Sequence, residues 1–155
     1  MGPLALLSCS LILDSMTMEL RVEQRTDLAL RTIRLLADRG TTTRAREMAP
    51  ELDTTVQYLP HVMRPLVREG WVVSEPGPTG GYRLVIDLST RTILDLIELF
   101  EGPIDNKKCI LNGGPCGGDE YCALHFAWIE AREALTQRLS DTPLTEGFTK
   151  GTPNE

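Results

Sequence analysis

Between Thr26 and Gly40 the apolar positions fall at helical spacing: Ala29, Ile33, Leu36 and Ala37 share one face, and Gly40 ends the run. The following TTTRAREMAPEL predicts a short helix with Thr43 as its N-cap, stopping near Pro50. A tight turn at Leu52-Asp53 leads to a second start signal, because Thr54 and Gln57 stand at capping-box spacing. The third helix this opens, TVQYLPHVMRPLVREG, is expected to bury Val56, Leu59, Val62 or Met63, and Leu66. Pro60 and Pro65 conflict with its interior, since each lacks a donor and crowds the preceding turn, at about 3 kcal/mol where nothing compensates. The helix is therefore short or bent, or only Thr54–Leu59 is available to read a ligand.

Beyond Gly70 the period changes. Trp71-Val72-Val73 and Tyr82-Arg83-Leu84-Val85 are strand-like, and the SEPGPTGG between them has the proline and glycine of a hairpin tip. Two helices joined by a short turn, followed by a hairpin, give the order of a winged helix-turn-helix. Thr92 then caps an amphipathic ILDLIELF that stops at Glu101-Gly102-Pro103. After a glycine-rich loop over 104–121, Asp119 is placed to cap a long helix from about Glu120 to Ser140. On it Leu124, Trp128, Ala131, Leu135 and Leu139 recur at coiled-coil spacing. Such a seam, beyond a domain already complete, packs most simply on a second copy; folding back on the winged-helix core is the alternative.

The expected fold class is thus mainly α with a small β-hairpin wing: a winged helix-turn-helix plus a long C-terminal dimerisation helix. The expected divisions are 1–17, an apolar leader; 18–103, the DNA-binding domain; 104–121, the cysteine loop; 122–148, the dimerisation helix and tail; and 149–155, a disordered tail. The leader is apolar from Pro3 to Leu13 but lacks a basic start and is too short to span a bilayer. It reads as an upstream start choice, with the native chain beginning at Met16 or Met18, so a cytoplasmic protein without membrane attachment is expected.

Charge refines the picture. The net value of -6 argues mildly against a uniformly basic surface. Residues 18–100, however, hold eleven Arg against twelve Asp and Glu, while 101–155 hold five basic and nine acidic side chains. A basic face on the first part is compatible with that distribution.

The loop supplies the chemistry. Cys109, Cys116, Cys122 and His125 follow a C-x6-C-x5-C-x2-H pattern, and Cys122 and His125 share a face on the first turns of a helix. A helix N-terminus favours the thiolate of Cys122, the form that binds metal. Gly113, Gly114, Gly117 and Gly118 let the loop wrap, and a segment of Gly, Pro, Asn and Asp has little apolar surface in which to hide thiols. In a reducing compartment such a cluster points to a metal centre rather than disulfides. Three thiolates and an imidazole suit zinc or an iron–sulfur cluster, and spacing does not choose between them.

Tyr58-Leu59, Leu66, Gly70, Ser74, Gly80-Gly81-Tyr82-x-Leu84, Glu101-Gly102-Pro103, and the cysteine triplet followed by Leu124-His125 and Trp128 together resemble the BadM/Rrf2 family of winged-helix regulators, over about residues 18–145. The resemblance implies a homodimer on a double-stranded DNA operator. It also implies an iron–sulfur cluster, two-iron or four-iron, that reports nitric oxide, an oxidant, or iron–sulfur status. Within the family, Cys122-x-x-His125 with Trp128 is similar to the cluster-homeostasis regulators, in which that histidine is a ligand. Thr26-Asp27-Leu28-Ala29-Leu30-Arg31 is similar to the nitric-oxide-sensing repressors, in which the aspartate reaches the partner's cluster. His125 and the partner subunit's Asp27 are both candidate fourth ligands; alternatively Asp27 simply serves the helix dipole and His125 packs on Trp128. Two departures stand out: the first cysteine gap is one residue longer than is usual, and the wing has Glu75-Pro76 where the family carries an arginine. That weakens the case for minor-groove reading by the wing.

On DNA, Thr54, Thr55, Gln57 and Tyr58 are expected at base edges. Arg44, Arg46, His61, Arg64, Arg68 and Arg83 are expected on phosphates. The expected function is a transcriptional regulator, a repressor, gated by its cluster. The alternative is a zinc-stabilised winged-helix protein that senses nothing. An enzyme is not expected: there is no C-x-x-C, no phosphate-binding glycine loop between strand and helix, and no nucleophile–base set.

Overall fold

Helix α1 (Gln24–Arg39) closes on Gly40, whose φ of 62° lets its N–H return to the Leu36 carbonyl. The coordinates are those of a computed structural model, which describes residues 22–104, 108–111, 114 and 121–148. Ala29, Ile33 and Leu36 are buried as the pattern predicts, together with Leu28 and Thr32. Ala37 is exposed, because it lies on the rim of a buried arc centred near Leu36.

Helix α2 (Ala45–Glu51) runs through Pro50, and its N-cap is Arg44 rather than Thr43. Thr43 is already engaged: it exchanges two backbone hydrogen bonds of 2.9 Å with Tyr82, an isolated antiparallel bridge beside the two-stranded wing. Leu52 ends α2, and Asp53 takes a left-handed φ of 51°, a conformation that aspartate tolerates better than most side chains.

Helix α3 (Leu59–Arg68) begins five residues after Thr54, so the expected cap at Thr54 is a correction. Pro60 decides the start. Within the first turn its missing N–H is not needed, whereas a helix opening at Thr54 would put Pro60 in the interior against the Val56 carbonyl. Thr55 instead makes a local turn, its hydroxyl and carbonyl each accepting from the Tyr58 N–H at 3.1 Å. Val56, expected in the core, is 44% exposed on that turn, while Leu59, Val62, Met63 and Leu66 are all buried. Pro65 is tolerated inside α3, where the only backbone acceptor it deprives is the carbonyl of exposed His61.

Strands β1 (Val72–Glu75) and β2 (Gly81–Leu84) pair antiparallel, with Val73 opposite Arg83 and Glu75 opposite Gly81. The strands are slightly offset from the expected spans: Trp71 is buried just before β1 and Val85 is exposed after β2. Gly81 is required by close approach, since a Cβ there would lie 2.4 Å from the Thr43 carbonyl oxygen. Backbone on both sides cannot yield cheaply, so Gly81→Ala is expected to lose about 1–3 kcal/mol, against less than about 0.5 for Thr79→Ala at the exposed tip, as read by urea unfolding.

Helix α4 (Ile93–Glu101) is capped by Thr92 as its sequence predicts, and the cap is reciprocal: the Asp95 N–H donates to the Thr92 hydroxyl (3.1 Å) and the Thr92 N–H to the Asp95 carboxylate (2.8 Å). Leu96, Ile97 and Phe100 turn inward, and α1 and α4 pack together. Upstream, Asp87 accepts from the N–H and hydroxyl of Ser89, which hold its carboxyl below the usual range.

Helix α5 (His125–Asp141) starts later than expected and is capped by Leu124; the predicted cap Asp119 lies outside the described residues. His125 is its one buried residue. Along the predicted seam Leu124 and Leu135 are 43% and 51% exposed, Ala131 is exposed, and Trp128 and Leu139 are half-buried. Packing on α4 therefore covers only part of that stripe. After α5 the chain returns to the core. The Ile93 N–H donates to the Thr142 carbonyl (2.9 Å), the Leu144 N–H to the Arg91 carbonyl (2.8 Å), and Leu144 is fully buried.

Candidate metal centre and nucleic-acid interface

Cys109 and Cys122, thirteen residues apart in sequence, meet with their sulfurs 3.4 Å apart. The Cys109 N–H donates to the Gly114 carbonyl at 2.8 Å, a loop closure that tucks the Cys109 side chain inside at 5% exposure. Cys122 is half-buried, and its carbonyl accepts the His125 N–H at 3.0 Å as the chain enters α5. Two sulfurs on one tetrahedral ion with bonds of about 2.3 Å lie about 3.8 Å apart, so this pair needs little adjustment to share a metal. The soft donor set suits zinc or iron. Cys116, the third predicted ligand, lies outside the described residues.

His125 is 7% exposed and stands among aromatic rings. Tyr121 lies over it at a centroid distance of 4.2 Å, and Phe126 meets it edge-on at 5.0 Å. Tyr121 and Phe126 are themselves 59% and 71% exposed, an apolar patch beside the cysteines that periodicity did not reveal. Asp27 sits in the first turn of α1 and is ion-paired with Arg31 at 3.0 Å. Arg31 also donates to the Leu52 carbonyl at 2.9 Å, tying α1 to the turn between α2 and α3. The structure thus brings Cys109 and Cys122 together ahead of α5, whose first residue is His125, but among the described residues no three His, Cys, Asp or Glu side chains converge as a metal site. Asp27 lies beside Thr54 and Tyr58 in a pocket at the helix-turn-helix.

The residues expected to read DNA divide into two sets. Thr54, Thr55, Gln57 and Tyr58 do not open a helix, a correction that follows from Pro60; they form the turn ahead of α3, with Thr55, Gln57 and Tyr58 exposed and Thr54 half-buried. His61, Arg64 and Arg68 are exposed on α3 itself, where Tyr58 and His61 rings stand 5.4 Å apart. Arg46 is exposed on α2, while Arg44 at its start is half-buried beside Glu47 at 3.8 Å. Arg83 on the wing is paired with Glu75 at 3.5 Å. Position 75 was legible as an acid, but its reach to Arg83 follows only from the hairpin register. Among the described residues no helix is long and apolar enough to cross a membrane.

A family model described as Rrf2, iron-dependent transcriptional regulator, matches residues 22–146. The transcriptional regulator IscR of Klebsiella pneumoniae is 34% identical over 92 residues, which are 59% of this chain and 56% of that relative, so the match spans little more than half its length. Among solved structures, the global cysteine regulator CymR of B. subtilis is 26% identical with a TM-score of 0.69, covering 85% of this chain and 100% of that one. A transcriptional regulator of Listeria innocua is 26% identical with a TM-score of 0.71, covering 90% and 93%. These relatives are regulators of transcription, not enzymes.

Proposed function

Because this chain belongs to the Rrf2 family of transcriptional regulators, we propose that it is a homodimeric DNA-binding repressor, acting in the cytoplasm, whose cysteine loop holds an iron–sulfur cluster that gates operator binding. The observation that carries this reading is the meeting of the Cys109 and Cys122 sulfurs, 3.4 Å apart, just ahead of α5. Cys109, Cys116 and Cys122 are the proposed protein ligands, with His125 or the partner's Asp27 as the fourth. When bound, the group supplies redox and ligand-exchange chemistry toward nitric oxide or oxidants.

The chain's own part is mechanical. The half-exposed stripe of α5 pairs with a second copy, and the loop before α5 sets how that helix leaves the winged-helix core. A change in the loop alters the separation of the two α3 segments, which must match successive major grooves about 34 Å apart. His61, Arg64 and Arg68 meet phosphates, and Thr55, Gln57 and Tyr58 meet base edges.

Protein purified without oxygen tests the reading through its visible spectrum, with iron, acid-labile sulfide and zinc assayed on the same sample. A brown protein with iron matched by sulfide is expected. A colourless protein with about one zinc per chain, unable to take up a cluster, would reduce the loop to a structural clip.

A further inference from the structure

Glu75 ends β1 at the base of the wing tip, and its two carboxylate oxygens are both engaged. One lies 3.5 Å from an Arg83 guanidinium nitrogen, the other accepts the Thr42 hydroxyl at 2.8 Å. The hairpin register makes this a diagonal pair on a single face: Glu75 faces Gly81, Val73 faces Arg83, and glycine opposite leaves room for the carboxylate to lean across. The other face, with Val72, Tyr82 and Leu84, turns toward the core. Arg83 is the one basic side chain between Gly70 and Ile86, so the wing carries one cation and one anion, held together. Thr42 adds the anchor. It belongs to the same short segment as Thr43, which is bonded into the wing through Tyr82, and so the carboxylate is fixed at both oxygens.

We propose that Glu75 is an affinity-setting residue: it sequesters Arg83 and presents a negative charge at the wing, keeping the wing from contributing to DNA attraction. This rests on the DNA-binding reading above. Two physical effects act in the same direction. A phosphate must compete with a carboxylate already seated on Arg83, and the Glu75 charge itself opposes the approach of the phosphate backbone. Since Arg83 and Glu75 side chains are 42% and 44% exposed, the pair is weak enough to be opened by substitution without loss of the hairpin. With the wing silenced, affinity falls on α3 and the turn before it, and discrimination between sites rests on those residues alone.

The test uses the full chain, a fluorescent 30-bp duplex of mixed sequence, and a series of salt concentrations. Glu75→Gln keeps the shape of the side chain and removes its charge. It is expected to tighten binding by about threefold to tenfold at low salt, and to steepen the dependence of log K on log salt by about 0.9 for each wing that gains a phosphate. Arg83→Gln should not tighten binding, and Glu75→Gln should gain less in that background than beside Arg83, since only the repulsion is then relieved. An unchanged affinity and slope in Glu75→Gln would overturn the inference. The same gain in the Arg83→Gln background would overturn it too, by showing simple repulsion without sequestration. If wild type and Glu75→Gln both fail to bind duplex DNA at low salt, the DNA-binding reading falls with it; wild-type binding without the gain removes this inference alone. Thermal unfolding of each variant, unchanged from wild type, separates these outcomes from damage to the wing.

Discussion

Cys122→Ala is expected to abolish retention of the metal centre while leaving the winged-helix core folded. The side chain is half-buried at the entrance to α5, its sulfur 3.4 Å from that of Cys109, and it is not part of the cluster of buried residues contributed by α1, α3 and α4. Removing even an outer-shell partner of a metal site weakens binding by about 10–100-fold, so removal of a ligand should exceed that. Iron and sulfide per chain should therefore fall below detection after desalting, with a far-UV spectrum and melting temperature close to those of metal-free wild type. Cys116→Ala should behave alike, and replacement of the fourth cysteine, Cys9 in the apolar 1–17 segment, should retain the full complement. Wild-type iron content in Cys122→Ala would take that residue out of the site. The companion pair His125→Ala and Asp27→Ala decides the fourth ligand, since only one should reproduce a weakened or shifted visible spectrum.

The second large effect is expected from Leu135→Glu. In a single chain Leu135 is 51% exposed, so the substitution buries no charge and removes little packing from the monomer. Between two paired helices the same glutamate would face the partner's apolar stripe, where a charge without a partner is strongly unfavourable. Light scattering should therefore shift from twice the 17.2 kDa chain mass to the chain mass itself, with the monomer's far-UV spectrum retained. Two linked reading heads gain effective concentration, so loss of the dimer should weaken operator binding by about 10²–10⁴-fold. A variant that stays dimeric would place the interface elsewhere than on this stripe of α5.

Local chemistry made much of the reading head legible. Ile33 and Leu36 on α1, Leu59, Val62, Met63 and Leu66 on α3, and the Thr92 cap of α4 all lie where the sequence puts them. Their patterns concern neighbours three or four residues apart, which the helix itself brings together. The start of α3 was misjudged for a local reason as well: two start signals competed, and Pro60 outweighed the Thr54–Gln57 pair because a proline in the first turn sacrifices no hydrogen bond. The pairing of Thr43 with Tyr82 overrode its capping propensity in turn, because two backbone bonds into a sheet satisfy more groups than one side-chain cap.

By itself, then, the amino-acid order determined the helix-turn-helix, the hairpin and the long last helix, since each is written in residues close along the chain. Only the tertiary structure decided that Cys109 and Cys122 meet, that Glu75 holds Arg83, and that Leu144 returns to the core. Those contacts join segments whose separation is set by loop closure and strand register. No side-chain periodicity records either, because the chain pays for such contacts once, as a whole, when the fold closes.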